Sequence, residues 1–267
     1  MVRAPLPWWN GTVSDNPFGL HGYTPSSYGD AFADVYDEWY RTLGDHDLVD
    51  ALTRHLPPRP ADVLELGVGT GRLLDRLVTA RTGTTDRLTG VDTSGAMIDR
   101  AREVPSLANA ELVIGDFSES LPGGEYDLVF CGYNTFFNLA DTGAMTRSLV
   151  LVRSVLRDDG RLVIDAFVPG ADTGGDRVTI RSITTESVVL NVSRHDETEQ
   201  RIVGQFVELA NGSPVRLRPW AVRYLMPHEL DALAERAGLR LLERHGDGAS
   251  AAFTPESRRH VSVYGPA

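Results

Sequence analysis

The chain has a single cysteine, Cys131, among 267 residues. No internal disulfide can form, and neither a thiolate metal site nor the disulfide framework of a small secreted domain is indicated. It lacks any apolar run of the roughly 18 residues a membrane span needs, and "MVRAPLPWWNGTVSDNPFGL" has no apolar signal-peptide core. A soluble, cytoplasmic protein without a membrane partner is the expectation. Positive charge is also scarce: 26 basic against 37 acidic side chains leave a formal net charge of -11. Nucleic-acid binders displace counterions with clustered cations, so nucleic acid is not an expected partner. The stretch "VRLRPWAVR" does gather Arg216, Arg218 and Arg223, readable as a solvated strand face or as a local recognition patch.

Internal repeats and long linkers are absent too, and what remains is an alternating pattern. Residues 1–30 mix turn formers with Trp8, Trp9, Phe18, Tyr23 and Tyr28, an arm that either packs down or serves as a pocket lid. "AFADVYDEWYRTL" and "HDLVDALTRHL" then repeat apolar residues at helical spacing up to Pro57 and Pro58. From there strands and helices alternate: "ADVLELG", "GRLLDRLVTA", "LTGVD", "GAMIDRARE", "AELVIGD", "YDLVFCG", "TRSLVLVRSVL" and "GRLVIDAF". Short apolar strands separated by helices predict an α/β fold, a doubly wound, mostly parallel sheet with helices on both faces. Right-handed crossovers place every strand's carboxyl end on one edge, where ligands bind.

The rhythm changes after Phe167. "RVTIRSI", "ESVVLNVSR", "RIVGQFVEL" and "VRLRPWAVRYLM" alternate as antiparallel strands do, and a helix "PHELDALAERAG" leads to the last strands "LRLLERHG" and "RHVSVYG". The expected organisation is an arm and helical cap over 1–56, a core over 57–168, an antiparallel insertion over 169–226 acting as lid or dimer surface, and a completing helix and strands over 227–267, with an antiparallel last strand.

The glycine loop "LELGVGTGR" departs from two familiar nucleotide signatures. Gly67, Gly69 and Gly71 are spaced G-x-G-x-G, not the G-x-G-x-x-G of a dinucleotide fold, and Arg72-Leu73 stands where a P-loop has its lysine and hydroxyl. Glu65, just before the turn, would repel a pyrophosphate and favour an ammonium or sulfonium. Asp92 ends the next strand, 21 residues beyond Gly71, where a carboxylate can accept ribose hydroxyls or sit as a helix N-terminal charge. In "LVIGDF", Asp116 can accept an adenine amino group while the Phe117 backbone serves a ring nitrogen. Met97 can pack on the ring or belong to the core.

In this order and spacing, "VLELGVGTGR", "GVDTSGAMI", "IGDF" and "YDLVFCGYNTFFNL" resemble the successive motifs of class I S-adenosylmethionine-dependent methyltransferases of Rossmann-like fold. "FADVYDEWY" is similar to the N-terminal helix of small-molecule members, including amino-sugar N-methyltransferases of antibiotic pathways. The resemblance implies S-adenosyl-L-methionine as cofactor. Gly67, Gly69 and Gly71 would border its methionyl part, with Glu65 near the ammonium. Asp92 and its neighbour Thr93 would lie at the ribose, Asp116, Phe117 and Met97 at the adenine, Tyr40 would reach in from the helix, and Cys131 to Asn134 would lie beside the sulfonium.

Methyl transfer from a sulfonium is an in-line displacement that needs alignment and exclusion of water more than a strong base. Candidate helpers are Asn134, which follows a strand at the ligand edge and could equally cap a helix, and His195 and His228, whose alternative is a surface or helix-end role. No metal-ligand spacing and no G-x-S-x-G elbow stands out. The expected function is methyl transfer to nitrogen or oxygen of a small organic molecule in secondary metabolism, possible as a homodimer. The alternative is a methyltransferase fold that uses its cofactor structurally while catalysing a cyclisation or rearrangement.

Overall fold

The computed structural model describes residues 16–41, 44–170 and 174–267. Trp8 and Trp9 of the arm lie outside the described residues. The central layer is a seven-stranded sheet built from β1 (Asp62–Leu66), β2 (Arg87–Asp92), β3 (Glu111–Ile114), β4 (Tyr126–Cys131), β5 (Leu156–Phe167), β10 (Leu239–His245) and β11 (Arg259–Pro266). Their order is β3-β2-β1-β4-β5-β11-β10, and every pair from β3 to β5 is parallel. β11 runs antiparallel to both its neighbours. All six residues of β4 are buried, as a strand covered on both faces must be, and its one charged residue, Asp127, is paired with Arg59 at 2.6 Å.

The covering layers come from helices with one apolar stripe. On one face, α3 (His46–Arg54) and α4 (Arg72–Ala80) bury Leu48, Leu52, Leu74 and Leu77. On the other, α6 (Thr142–Val155) and α7 (Pro227–Arg236) bury Met145, Leu149, Leu230 and Leu233. α6 begins at Thr142, four residues before the apolar pattern implies, because the Asp141 side chain caps it by accepting the Ala144 amide at 2.7 Å. α5 (Gly95–Arg102) starts the same way from Ser94.

Strands β6 (Gly175–Ile183), β7 (Ser187–Asp196), β8 (Arg201–Ala210) and β9 (Arg216–Arg223) form a separate antiparallel sheet in that order. Two short helices, α1 (Ser27–Phe32) and α2 (Tyr36–Trp39), lie between this sheet and the core. One continuous helix from Ala31 is not what forms: the helix starts at Ser27 and breaks at Ala33–Val35. Phe32 is fully buried there, ringed by Tyr28, Trp39 and Phe206. Arg218 of β9 reaches over and donates to the Ala31 carbonyl, to Asp34 at 2.5 Å and to Glu208 at 3.0 Å. The antiparallel sheet therefore clamps the two helices onto the core.

Candidate cofactor and active site

The loop after β1 folds as it does because its glycines permit it. Gly67, Gly69 and Gly71 have φ of 69°, 55° and 81°, the left-handed region that side-chain-bearing residues enter at a cost. Two amides of this loop, Gly67 and Val68, donate to the Val91 carbonyl at 2.8 and 3.0 Å, and Gly69 donates to Asp92 Oδ2 at 2.9 Å. The loop is thereby fastened to the end of β2. The other Asp92 oxygen accepts the Ser94 amide at 2.9 Å, leaving lone pairs on both oxygens for further donors. Burial raises the Asp92 pKa above the ordinary carboxylate value, against the opposing effect of these amides.

A cavity of about 410 Å3 opens at this sheet edge. Its floor is made by Gly67, Gly69, Asp92, Thr93, Met97, Asp116 and Phe117, all from the first three strand ends and the start of α5. Its roof comes from Tyr28, Gly29 and Tyr36 of the two N-terminal helices, and its far wall from Thr135 and Leu139. The roof is bonded to the floor. Ser94 Oγ donates to Asp30 at 2.6 Å, Thr70 Oγ1 donates to Asp37 at 2.6 Å, and Arg100 donates to the other Asp37 oxygen at 3.1 Å. Thr93 Oγ1 donates to the Pro25 carbonyl at 2.9 Å. α1 approaches so closely that a Cβ on Gly29 would lie 2.4 Å from that of Ser94.

Other residues singled out from the sequence lie behind this lining. Glu65 is buried on β1 with Oε2 lacking a hydrogen-bond partner, and burial holds its carboxyl well above the usual range. Cys131 is buried at the end of β4, where burial likewise pushes its thiol up. Gly71 begins α4 and packs towards Leu107. Tyr40 stands one layer out: its ring is 4.8 Å from that of Tyr36 and its hydroxyl 3.3 Å from that of Tyr28.

The three proposed helpers are not gathered around the cavity. Asn134 has φ of 68°, and its Oδ1 accepts the Phe167 amide at 2.6 Å, tying the ends of β4 and β5 together. Neither it nor a histidine is among the described cavity residues, although its neighbour Thr135 is. His195 lies buried on β7 with Nε2 2.9 Å from the Tyr224 hydroxyl. His228 is exposed in the first turn of α7. Tyr28, named in the arm that either packs down or serves as a lid, lines the cavity, and so does Tyr36, which the sequence reading missed in this role. The available signal for Tyr36 was its spacing of four from Phe32, although the chain breaks between α1 and α2 there.

Whether an adenosyl sulfonium fits can be judged from the donors and acceptors present. Two carboxylates, Asp92 and Asp116, face one cavity from adjacent strand ends, and Met97 and Phe117 supply flat apolar contact. A Cβ on Gly69 would project into open space, so the glycine leaves room for a ligand against the backbone. The unpartnered Glu65 oxygen leaves a further polar group under the loop. These features suit a ligand that carries a diol, an aminopurine and a cationic centre.

Known proteins agree with that inventory. A family model described as a methyltransferase domain matches residues 63–160. A malonyl-(acyl-carrier protein) O-methyltransferase of Acetivibrio thermocellus is 32% identical over 142 residues, a match spanning 52% of this chain but 44% of that protein. The CcbJ methyltransferase of Streptomyces caelestis is 33% identical, with a TM-score of 0.81 over 92% of this chain and 100% of that one. CalS10 of Micromonospora echinaspora, an amino pentose methyltransferase with S-adenosylmethionine bound, shares the fold at 20% identity and a TM-score of 0.64, over 86% of this chain and 96% of that one. The likeness to CcbJ over 92% of this chain, with the match to the methyltransferase domain, means that the chain belongs to the S-adenosylmethionine-dependent methyltransferases.

Proposed function

We propose that the enzyme methylates a nitrogen or oxygen of a small organic molecule of the natural-product type. The observation that carries this reading is the roof: α1 and α2 lie across the cofactor edge, bonded to it through Asp30 and Asp37 and clamped from behind by Arg218. A macromolecular acceptor needs an open groove, whereas a cavity of about 410 Å3 under its own helices admits a free small molecule. The likeness to CcbJ and to an amino pentose methyltransferase involved in calicheamicin biosynthesis supports the same class.

The bound cofactor supplies an electrophilic methyl group on a sulfonium. The chain's own residues orient and enclose. Asp92, beside Thr93, accepts from the ribose hydroxyls; Asp116 and the Phe117 amide address the adenine edge, and Met97 covers its face. The glycine loop, backed by Glu65, borders the cationic end. Tyr36 closes the roof, and Tyr40 steadies it through ring contact. Water exclusion by this roof favours a displacement in which charge is dispersed. Nitrogen is the favoured acceptor, because an amine needs only to arrive neutral. The comparisons lend no support to a cofactor held only structurally.

The test is incubation of the enzyme with S-adenosylmethionine and a panel of amino sugars, other amines and phenols, followed by mass spectrometry. Formation of S-adenosylhomocysteine together with a product one methylene heavier is expected, first among the amines. An isomerised product without added methyl, or turnover confined to protein or nucleic acid, would end this reading.

A further inference from the structure

The antiparallel sheet has two unlike faces. One carries Phe206 and Arg218, packed on α1 and α2. The other is covered at one corner, where Val203 and Ala221 pack on Phe18 and Tyr23, and the register shows what occupies the rest. Ile180, Leu190, Val207 and Leu217 stand side by side across all four strands, and Val178 pairs with Val192 in the next row. These side chains point away from the body: Val178, Ile180 and Leu217 are 66%, 65% and 59% exposed. Single exposed aliphatics are ordinary, but a contiguous aliphatic face on a sheet is the mark of an interaction surface.

Independently of the methyl acceptor, we propose that this face is where two copies of the chain meet, sheet against sheet. Its size fits. Four strands about 4.8 Å apart and nine residues at about 3.3 Å each give a projected face of roughly 570 Å2. Corrugation by the side chains brings the accessible surface to the scale of about 800 Å2 per partner that a stable interface buries. Its chemistry also fits a two-fold partner. The two central rows carry no charge, and the ion pair at their end, Arg194 with Asp176 at 2.7 Å, is satisfied within the sheet. Two identical faces therefore come together without opposing like charges, as an isologous interface requires. The geometry is that of a β-sandwich, two twisted sheets stacked about 10 Å apart with interdigitated aliphatic side chains. An anionic membrane is the poorer occupant, since the chain has no lysine and a formal net charge of -11.

The full-length protein in sedimentation equilibrium at tens of micromolar should have twice the 29.2 kDa of one chain. Ile180→Asp and Leu217→Asp, which place a carboxylate at opposite ends of the central row, should each halve that mass. The circular dichroism spectrum and S-adenosylmethionine binding should stay unchanged, because neither residue lines the cofactor cavity. A wild-type protein that sediments as a single chain overturns the proposal, and so does a dimer that both substitutions leave intact. A monomer that floats with phosphatidylcholine vesicles would likewise overturn it, assigning the face to lipid.

Discussion

Asp165 holds the backbone of Tyr133. One carboxylate oxygen accepts the Tyr133 amide at 3.0 Å, while the other accepts Arg259 Nε at 2.6 Å, and the Asp165 carbonyl accepts the Asn134 amide at 3.0 Å. Tyr133 and Asn134 have φ of 50° and 68°, two successive non-glycine residues in the left-handed region beside the cavity. That conformation costs about 1–2 kcal/mol per residue and persists only where its surroundings enforce it. Asp165→Ala would remove the enforcement and leave Arg259 with Asp47 alone. A loss of about 3–5 kcal/mol in urea denaturation is expected, as for other buried pairs broken on one side. Asp165→Asn, which keeps an acceptor for Tyr133, should recover part of it. A cost below about 1 kcal/mol for the alanine variant would mean that the loop is held without Asp165.

The alternate glycines should fail in different ways. A Cβ on Gly67 would lie 2.1 Å from Thr135 Cγ2, so Gly67→Ala meets both a clash and a φ of 69°. A Cβ on Gly69 meets nothing within 4 Å and intrudes only into the space assigned to the cofactor. Gly69→Ala should therefore cost about 1–2 kcal/mol of stability, from backbone conformation alone, yet weaken S-adenosylmethionine binding measurably. Gly67→Ala should lower the melting temperature further. Equal melting temperatures for the two variants would contradict the close contact with Thr135.

Asp92 serves two masters. It ties down the glycine loop through the Gly69 amide and, in the proposed pose, accepts the ribose hydroxyls. Asp92→Ala should weaken cofactor binding by about 1–3 kcal/mol, roughly 5- to 150-fold in Kd by calorimetry. Unchanged affinity in a folded variant would remove the ribose from this carboxylate.

How much of this was legible in the sequence follows from the range of the interactions. Asp92 and Asp116 could be placed because an apolar strand of four to six residues ending in an acid is a local pattern, and parallel topology then carries both ends to one edge. The insertion was legible for the same reason, as period-2 alternation. Tyr36 was not, since an aromatic ring in an amphipathic helix reads equally as core until the helix is docked. His195 illustrates the limit. Its partner Tyr224 lies 29 residues away, just past the end of β9, and only the folded chain brings them to 2.9 Å. Asn134 was placed at the correct strand end, but its amide oxygen is spent on Phe167, a cross-strand bond with no local signature.

The pH dependence of stability should carry the imprint of His260. This residue is fully buried on β11, with Nδ1 2.8 Å from Ser262 Oγ and Nε2 without a partner. Burial, reinforced by the Arg244 charge and opposed by Asp231, lowers its pKa from 6.5 to about 4. Between those two values the unfolded chain binds a proton that the folded chain does not, so acidification favours unfolding. The contribution is fully present above pH 6.5 and is lost progressively as the pH falls to about 4. A depression of that size corresponds to about 3 kcal/mol at most. Urea denaturation of wild type against His260→Gln should show the variant losing less stability on acidification through this window. Parallel curves would mean that the imidazole is protonated in the folded protein, and that a partner for Nε2 forms in solution.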